Sequence, residues 1–174
     1  PDPSARLNAS FGDAAERMQG LAIVNPALEV EAVGFAPWQD HWLGVMVTPW
    51  FMNLVLLPRV RSRWQSIPVG GKRTLQFPAG VYEFIGAADA GVGEHQTCSL
   101  FSPMHEFENH AAARLVAQLA RAALLDPANA EVPERAIAAP SSSTGAAHRE
   151  HGEQTPVSRR DLLRGRLTGG GDVD

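Results

Sequence analysis

The stretch HWLGVMVTPWFMNLVLLP, residues 41–58, decides the fold. It contains two apolar runs of strand length, residues 41–48 and residues 51–57, on either side of a Pro49-Trp50 corner. Pro58 stops the second run, because proline lacks the backbone N–H that a sheet requires. A connection this short favours antiparallel neighbours, since a parallel crossover needs about a dozen residues or more. The stretch therefore predicts an antiparallel pair of strands.

Outward from this pair, the chain carries four further segments with strand patterns and two with helix patterns. The predicted strands are residues 30–35, 73–77, 81–85 and 96–101. The predicted helices are residues 4–21, which Ser4 would cap, and residues 106–125. The sequence thus predicts an α+β fold with a single domain. In it, an antiparallel sheet of about four to six strands packs with an N-terminal and a C-terminal helix.

The predicted C-terminal helix has the clearest pattern. Apolar residues at three- and four-residue spacing predict one stripe along it, made of Phe107, Ala111, Leu115, Leu119 and Ala122. Ser102 is the predicted cap, and Glu106 and Glu108 then fall in the first turn, where carboxylates are favourable.

The composition changes after Asp126. Residues 127–157 are mainly Ala, Pro, Ser, Glu and His, with almost no large apolar side chain. Such a segment buries too little surface to offset the ordering of its chain. We therefore expect a folded domain at residues 1–126 and a disordered segment at residues 127–174. This segment consists of a linker rich in Ala, Pro and Ser, followed by an Arg-rich C-terminal tail.

Composition and motifs exclude several classes of protein. A formal net charge of −4 lacks the basic footprint of a nucleic-acid-binding domain. The longest apolar stretch, residues 45–57, is too short for a membrane span, so no membrane insertion is predicted. Gly70-Gly71-Lys72 lacks the earlier glycine of a phosphate-binding loop, and neither GxGxxG nor GxSxG occurs. The chain is not predicted to be an enzyme.

The charges are segregated along the sequence. One block is basic and consists of Arg59, Arg61, Arg63, Lys72 and Arg73. The block that follows is acidic and consists of Glu83, Asp89, Glu94, Glu106 and Glu108. Such blocks could form patches that attract charged partners, or they could be two solvated loop regions that face each other across the fold.

A metal site is disfavoured by the spacing of its potential ligands, which are His95, Cys98, His105 and His110. On an ideal helix, the last two histidines would lie about 140° apart, because they are five residues apart and not four. One cysteine also excludes any site with four cysteine ligands. The sequence predicts no metal and no cofactor.

Large apolar side chains gather around Pro37, Pro49 and Pro103. They are Trp38, Trp42, Trp50, Phe51, Met52, Phe101 and Met104. Core packing explains such residues in most proteins, whereas Met and Trp at the rim of a groove suit an adaptable apolar peptide. The sequence is compatible with both interpretations, core packing and the rim of a groove.

Two strings of the sequence resemble a known family. V-T-P-W-F-M-N at residues 47–53 and C-S-L-F-S-P-M at residues 98–104 are similar to the HybE/HupJ/HoxT family of [NiFe]-hydrogenase assembly chaperones. The resemblance covers roughly residues 5–125. It implies a non-enzymatic maturation factor that acts in the cytoplasm on hydrogenase subunit precursors and is linked to holding back twin-arginine export. Some relatives carry a fused rubredoxin domain, which a chain with Cys98 alone does not contain.

This resemblance leads to a hypothesis for the site. A twin-arginine signal has an arginine pair followed by an apolar stretch, so an apolar groove and the acidic block could bind its two halves. The predicted partner-binding residues are Trp50, Phe51, Met52, Asn53, Phe101, Met104, Glu106 and Glu108. Two alternatives remain. One is a scaffold that holds the large-subunit precursor on its sheet face, and the other is a factor that protects or delivers an iron–sulfur or iron component, with Cys98 and His95 as transient ligands.

The tail carries one further motif. S-R-R-D-L-L-R at residues 158–164 is similar to the twin-arginine consensus S-R-R-x-F-L-K. It cannot act as an export signal, because no hydrophobic region follows it. It is either a chance similarity in an arginine-rich segment or a tethered mimic that competes with the true signal.

Overall fold

A computed structural model describes residues 1–130 of the 174 residues, and the expected disordered tail lies largely outside this part. Two helices and six strands make up the fold. They are α1 (Ser4–Met18), β1 (Glu31–Trp38), β2 (His41–Val47), β3 (Met52–Pro58), β4 (Lys72–Phe77), β5 (Gly80–Asp89), β6 (Gly93–Phe101) and α2 (His110–Leu125). Short 3-10 turns occur at Arg61–Arg63 and Pro127–Asn129.

The six strands form one antiparallel sheet in the order β1-β2-β3-β6-β5-β4. The stretch at residues 41–58 forms the β2–β3 pair, with a regular register from His41 opposite Pro58 to Val47 opposite Met52. The α+β prediction, with its antiparallel sheet and two flanking helices, is confirmed.

The sheet buries apolar side chains on both faces, which explains why β2 and β3 are apolar along most of their length and do not alternate. One face carries Leu43, Leu54 and Phe84 and packs against α2. The opposite face carries Met46 and Val55 and packs against α1, whose Leu7 is fully buried. The two helices therefore lie on opposite sides of the sheet.

The sheet is strongly curved. Trp38, at the end of β1, stacks on Phe77, at the end of β4, with ring centroids 4.4 Å apart, although β1 and β4 are the two edge strands. The α2 side of the sheet is therefore concave, and α2 lies over β1 and β2 on that side.

Both helices are shorter than predicted. Helix α1 ends at Met18 instead of residue 21, and Pro3 takes the cap position expected for Ser4, whose backbone N–H bonds to Asp2 Oδ1 at 2.7 Å. Helix α2 starts at His110, with Asn109 as its cap and Oδ1 accepting from the Ala112 N–H at 2.9 Å. The predicted start at residue 106 is wrong, and so are the Ser102 cap and the placement of Glu106 and Glu108 in the first helical turn.

The predicted apolar stripe of α2 faces solvent and not the sheet. The side that meets the sheet is lined by Ala113, Ala117, Ala120 and Leu124. Leu115 and Leu119 face outward instead and are 55% and 38% exposed. Alanine at the contact lets the helix lie close to the strands, and Arg121 donates from Nε to the Leu43 carbonyl at 3.4 Å.

Candidate functional site

Three loop segments meet at one end of the sheet, and Asn25 holds them together. Its side-chain Nδ2 donates to the carbonyl oxygens of Met104 at 3.0 Å and Phe107 at 2.8 Å. Its backbone N–H donates to the Pro49 carbonyl at 2.8 Å. One buried amide thus fixes the β2–β3 turn and the loop at residues 102–109 against the segment that follows α1.

The β2–β3 turn is shaped by Thr48. Its Oγ1 accepts from the Phe51 N–H at 2.9 Å and from the Trp50 N–H at 3.3 Å, as expected of a threonine that opens a turn. The Phe51 ring then packs edge-on against Phe11 of α1, with centroids 5.6 Å apart, and against Trp50 at 5.7 Å. The turn presents its aromatic side chains in a fixed arrangement.

The structure does not form the predicted groove. Met52 and Met104 are fully buried in the core on the α2 side, so they do not line an exposed surface in this conformation. Trp50, Phe51, Asn53 and Phe101 are half-buried and lie around the same end of the sheet. We call these four residues the aromatic edge, because three of them are aromatic and they lie at one end of the sheet. Their role in partner binding stays a prediction.

The acidic block does not form one patch. Glu83 pairs with Lys72 on the neighbouring strand at 3.0 Å, and Glu94 accepts from the Trp64 indole and from Ser66. Asp89 accepts from the Ser10 hydroxyl and from two backbone N–H groups of its own turn, which together lower the pKa of its carboxyl. These three carboxylates are engaged separately, and only Glu83 contacts the basic block, through a neighbouring strand and not through facing loops.

Glu106 and Glu108 differ from the rest of the block. Both are exposed in the loop before α2, and neither makes an ion pair or a side-chain hydrogen bond with another residue of the described part of the chain. We call them the acidic pair. They are the carboxylates of the block that remain available to a basic partner.

A partly exposed network of polar contacts fixes the start of α2 next to the acidic pair. His110 Nε2 and Arg114 Nε each lie 2.7 Å from the Glu31 carboxylate on β1. His110 Nδ1 accepts the Glu29 N–H at 3.2 Å, so the ring carries its proton on Nε2 and donates it to Glu31. Burial alone would raise the pKa of Glu31, but the bonds from Arg114 and His110 outweigh it and lower that pKa.

The outward side of α2 is an exposed surface that the sequence pattern did not predict. Ala111, Leu115, Leu119 and Ala122 follow one another at helical spacing, and we call this surface the α2 stripe. It begins three residues after Glu108, so the apolar stripe follows the acidic pair along the chain. The helix has alanines on one side and leucines on another, with Arg114, Gln118 and Arg121 among its polar residues, so its sequence offers two apolar sides.

The potential metal ligands do not converge. His95 and Cys98 are three residues apart on β6, so they lie on opposite faces of the sheet. His110 is engaged by Glu31, and residues 1–130 contain no group of three or more side chains that could hold a metal ion. The geometry gives no support to the iron-delivery alternative.

A buried histidine makes the stability of the fold depend on pH. His41 lies between Trp38 and Trp64, and its pKa is lowered by burial and then by the Arg73 charge, against a smaller opposite effect of Asp40. The unfolded chain therefore binds the proton more readily, so we expect the free energy of unfolding to fall as the pH drops below about 6.5.

Urea unfolding of the parent and of His41→Gln between pH 7.5 and 5 measures this effect. The variant should show a shallower fall with pH, since the glutamine does not titrate. Parallel curves would exclude His41 as the source. The pKa values of Glu31 and Asp89 are lowered from 4.5 and 3.8, so their contributions are lost below this pH window and are shared by both proteins.

Within residues 1–130, neither helix has the length and apolar character to cross a membrane.

Comparisons with known proteins identify the family. Residues 2–165 match the family model described as "[NiFe]-hydrogenase assembly, chaperone, HybE". The hydrogenase expression/formation protein HupJ of Bradyrhizobium diazoefficiens is 40% identical over 163 residues, 93% of this chain and 87% of that protein. Protein HoxT of Cupriavidus necator is 45% identical over 115 residues, 60% of this chain and 64% of its own length.

The fold has a counterpart among solved structures. The solution structure of HybE from Escherichia coli matches with a TM-score of 0.58 and 24% identity, over 88% of this chain and 94% of that one. With the family match, the antiparallel sheet and its two helices lead to one conclusion: the chain belongs to the HybE family of [NiFe]-hydrogenase assembly chaperones.

Proposed function

We propose that this chain binds the small-subunit precursor of a [NiFe]-hydrogenase through its twin-arginine signal and holds it on the cytoplasmic side before export. In this role the chain is a binding protein and not an enzyme. The observation that carries the proposal is that the α2 stripe follows the acidic pair, Glu106 and Glu108, along the chain. A twin-arginine signal has the complementary order, a basic pair followed by an apolar stretch.

The acidic pair suits the arginines. Arginine presents its N–H groups in a planar fork that matches a carboxylate, and two exposed carboxylates two residues apart can each accept one fork. Asn25 and the Asn109 cap hold the loop at both ends, so these carboxylates need little ordering when a partner binds.

The α2 stripe suits the apolar part. Leu115 and Leu119 are the large apolar side chains of α2 with the greatest exposure, and burying them under a partner removes apolar surface from water. The aromatic edge lies at the same end of the sheet as the loop of the acidic pair. Its rings are largely engaged by Phe11 and Phe107, so we assign it a supporting role in the same interface.

A fluorescently labelled signal peptide tests the proposal by anisotropy titration of the full chain. We expect saturable binding that weakens about tenfold or more for Glu106→Lys/Glu108→Lys, since hydrogen bonds to charged groups contribute roughly 1.5–3 kcal/mol. A twin-lysine peptide should lose affinity on the parent protein. Leu115→Ser/Leu119→Ser should weaken both peptides.

The matched control is Asp13→Lys/Glu16→Lys, which makes the same charge change on exposed residues of α1. If the control loses as much affinity as the Glu106/Glu108 variant, the effect is general electrostatics and the arginine site is wrong. If Trp50→Ala alone abolishes binding while the α2 variants retain it, the aromatic edge is the binding surface. If no peptide binds, the large-subunit precursor becomes the candidate partner.

A further inference from the structure

The α2 stripe is an unpartnered apolar surface on an otherwise well-packed helix. Its leucines are 55% and 38% exposed, while the opposite side of the helix is sealed against the sheet by Ala113, Ala117 and Ala120. No other residue of the described part of the chain covers it. Such a surface in a protein that acts alone would be a liability for association.

We propose that the α2 stripe is covered by residues 158–167 of the same chain, SRRDLLRGRL, which act as a tethered substitute for the precursor signal. The first part, docking of this segment, is argued from the charge and polarity of the segment and of the surface. The second part, competition with the signal, rests on the proposed function.

The order of charged and apolar residues along the segment matches the order of acidic and apolar residues along the surface. Arg159 and Arg160 come first, and Leu162 and Leu163 follow. On the surface, the acidic pair comes first, and Leu115 and Leu119 follow along the helix. The whole segment has four arginines and one carboxylate, so it is attracted to an exposed acidic surface.

The linker between the described part of the chain and the segment is long enough for the segment to reach the α2 stripe. Ser158 follows Ala130, the last described residue, by 28 positions, which span at most roughly 90 Å when fully extended. The 16 residues of α2 extend over only about 24 Å. A segment joined by a linker of this kind competes at an effective concentration on the order of millimolar. The family match also runs to residue 165, so most of the segment belongs to the region that the family model describes.

A spin label next to the segment tests the docking directly. Val157→Cys in the full chain is labelled with a nitroxide, and unsubstituted protein treated identically accounts for the buried Cys98. We expect selective broadening of the amide signals of residues 111–122. Leu162→Ser/Leu163→Ser should remove the broadening. Absence of broadening, broadening confined to the aromatic edge, or broadening that survives the leucine substitutions would overturn the proposal.

Titration with the signal peptide distinguishes a failure of this inference from a failure of the proposed function. Leu162→Ser/Leu163→Ser should raise the affinity for the peptide on the order of tenfold, because the tethered competitor is lost. Broadening of α2 in a protein that binds no signal peptide would support the docking and exclude the proposed function. Unchanged affinity together with absent broadening would exclude the docking and leave the function standing.

Discussion

Replacing Phe77 with alanine should lower the free energy of unfolding by about 3–5 kcal/mol, the usual cost of removing a large buried ring. Phe77 is buried at the end of β4 and stacks on Trp38 at 4.4 Å, so one ring joins the two edge strands of the sheet. It also contacts Tyr82 and Phe84 at 5.8 and 5.7 Å, and alanine would leave a cavity among all three rings.

Urea unfolding followed by tryptophan fluorescence and by circular dichroism measures the loss. Phe77→Leu is the control, because it retains most of the apolar volume and should cost much less. A loss below about 1 kcal/mol for Phe77→Ala would mean that the contact between β1 and β4 does not stabilise the curvature of the sheet.

Replacing Asn25 with aspartate should destabilise the fold by about 2–4 kcal/mol at neutral pH, since a buried group without a partner costs about 1–3 kcal/mol and a charged one costs more. Asn25 Nδ2 donates to the carbonyls of Met104 and Phe107, and a carboxylate has no proton for either of them. Because these bonds hold the loop of the acidic pair, affinity for the signal peptide should fall as well.

Asn8→Asp is the matched control for this substitution. The Asn8 side chain accepts from the Ala32 N–H at 2.7 Å through its oxygen, which aspartate retains, so its effect should be small. Thermal unfolding of both variants measures the difference. Equal effects of the two substitutions would show that added charge, and not the loss of the donor, causes the destabilisation.

The strands were predictable because their cause is local. Apolar runs at residues 41–48 and 51–57 are buried on both faces, and Pro58 ends the second run whatever packs around it. The orientation of α2 was not predictable in this way. Its alanines and leucines lie on different sides, and only the closeness of β1 and β2 decides that the smaller side chains face inward.

The site was predictable only in part, for a related reason. Met104 follows an exposed proline in sequence, yet Asn25, 79 residues away, binds its carbonyl and holds it in the core. The acidic block is divided by the register of β4 and β5, which places Lys72 beside Glu83. Neither contact has a signature in local sequence, so Glu106 and Glu108 could not be separated from the other three carboxylates.

The pairing of β3 with β6 has a consequence for how the protein is made. It joins two meanders, β1-β2-β3 and β4-β5-β6, through strands that are neighbours in the sheet but distant in the chain. During synthesis, the apolar edge of β3 emerges well before its partner, because residues 93–101 are translated about forty residues later. This chaperone of assembly therefore passes through a nascent state in which the edge of β3 is unprotected, and completion of β6 covers that edge.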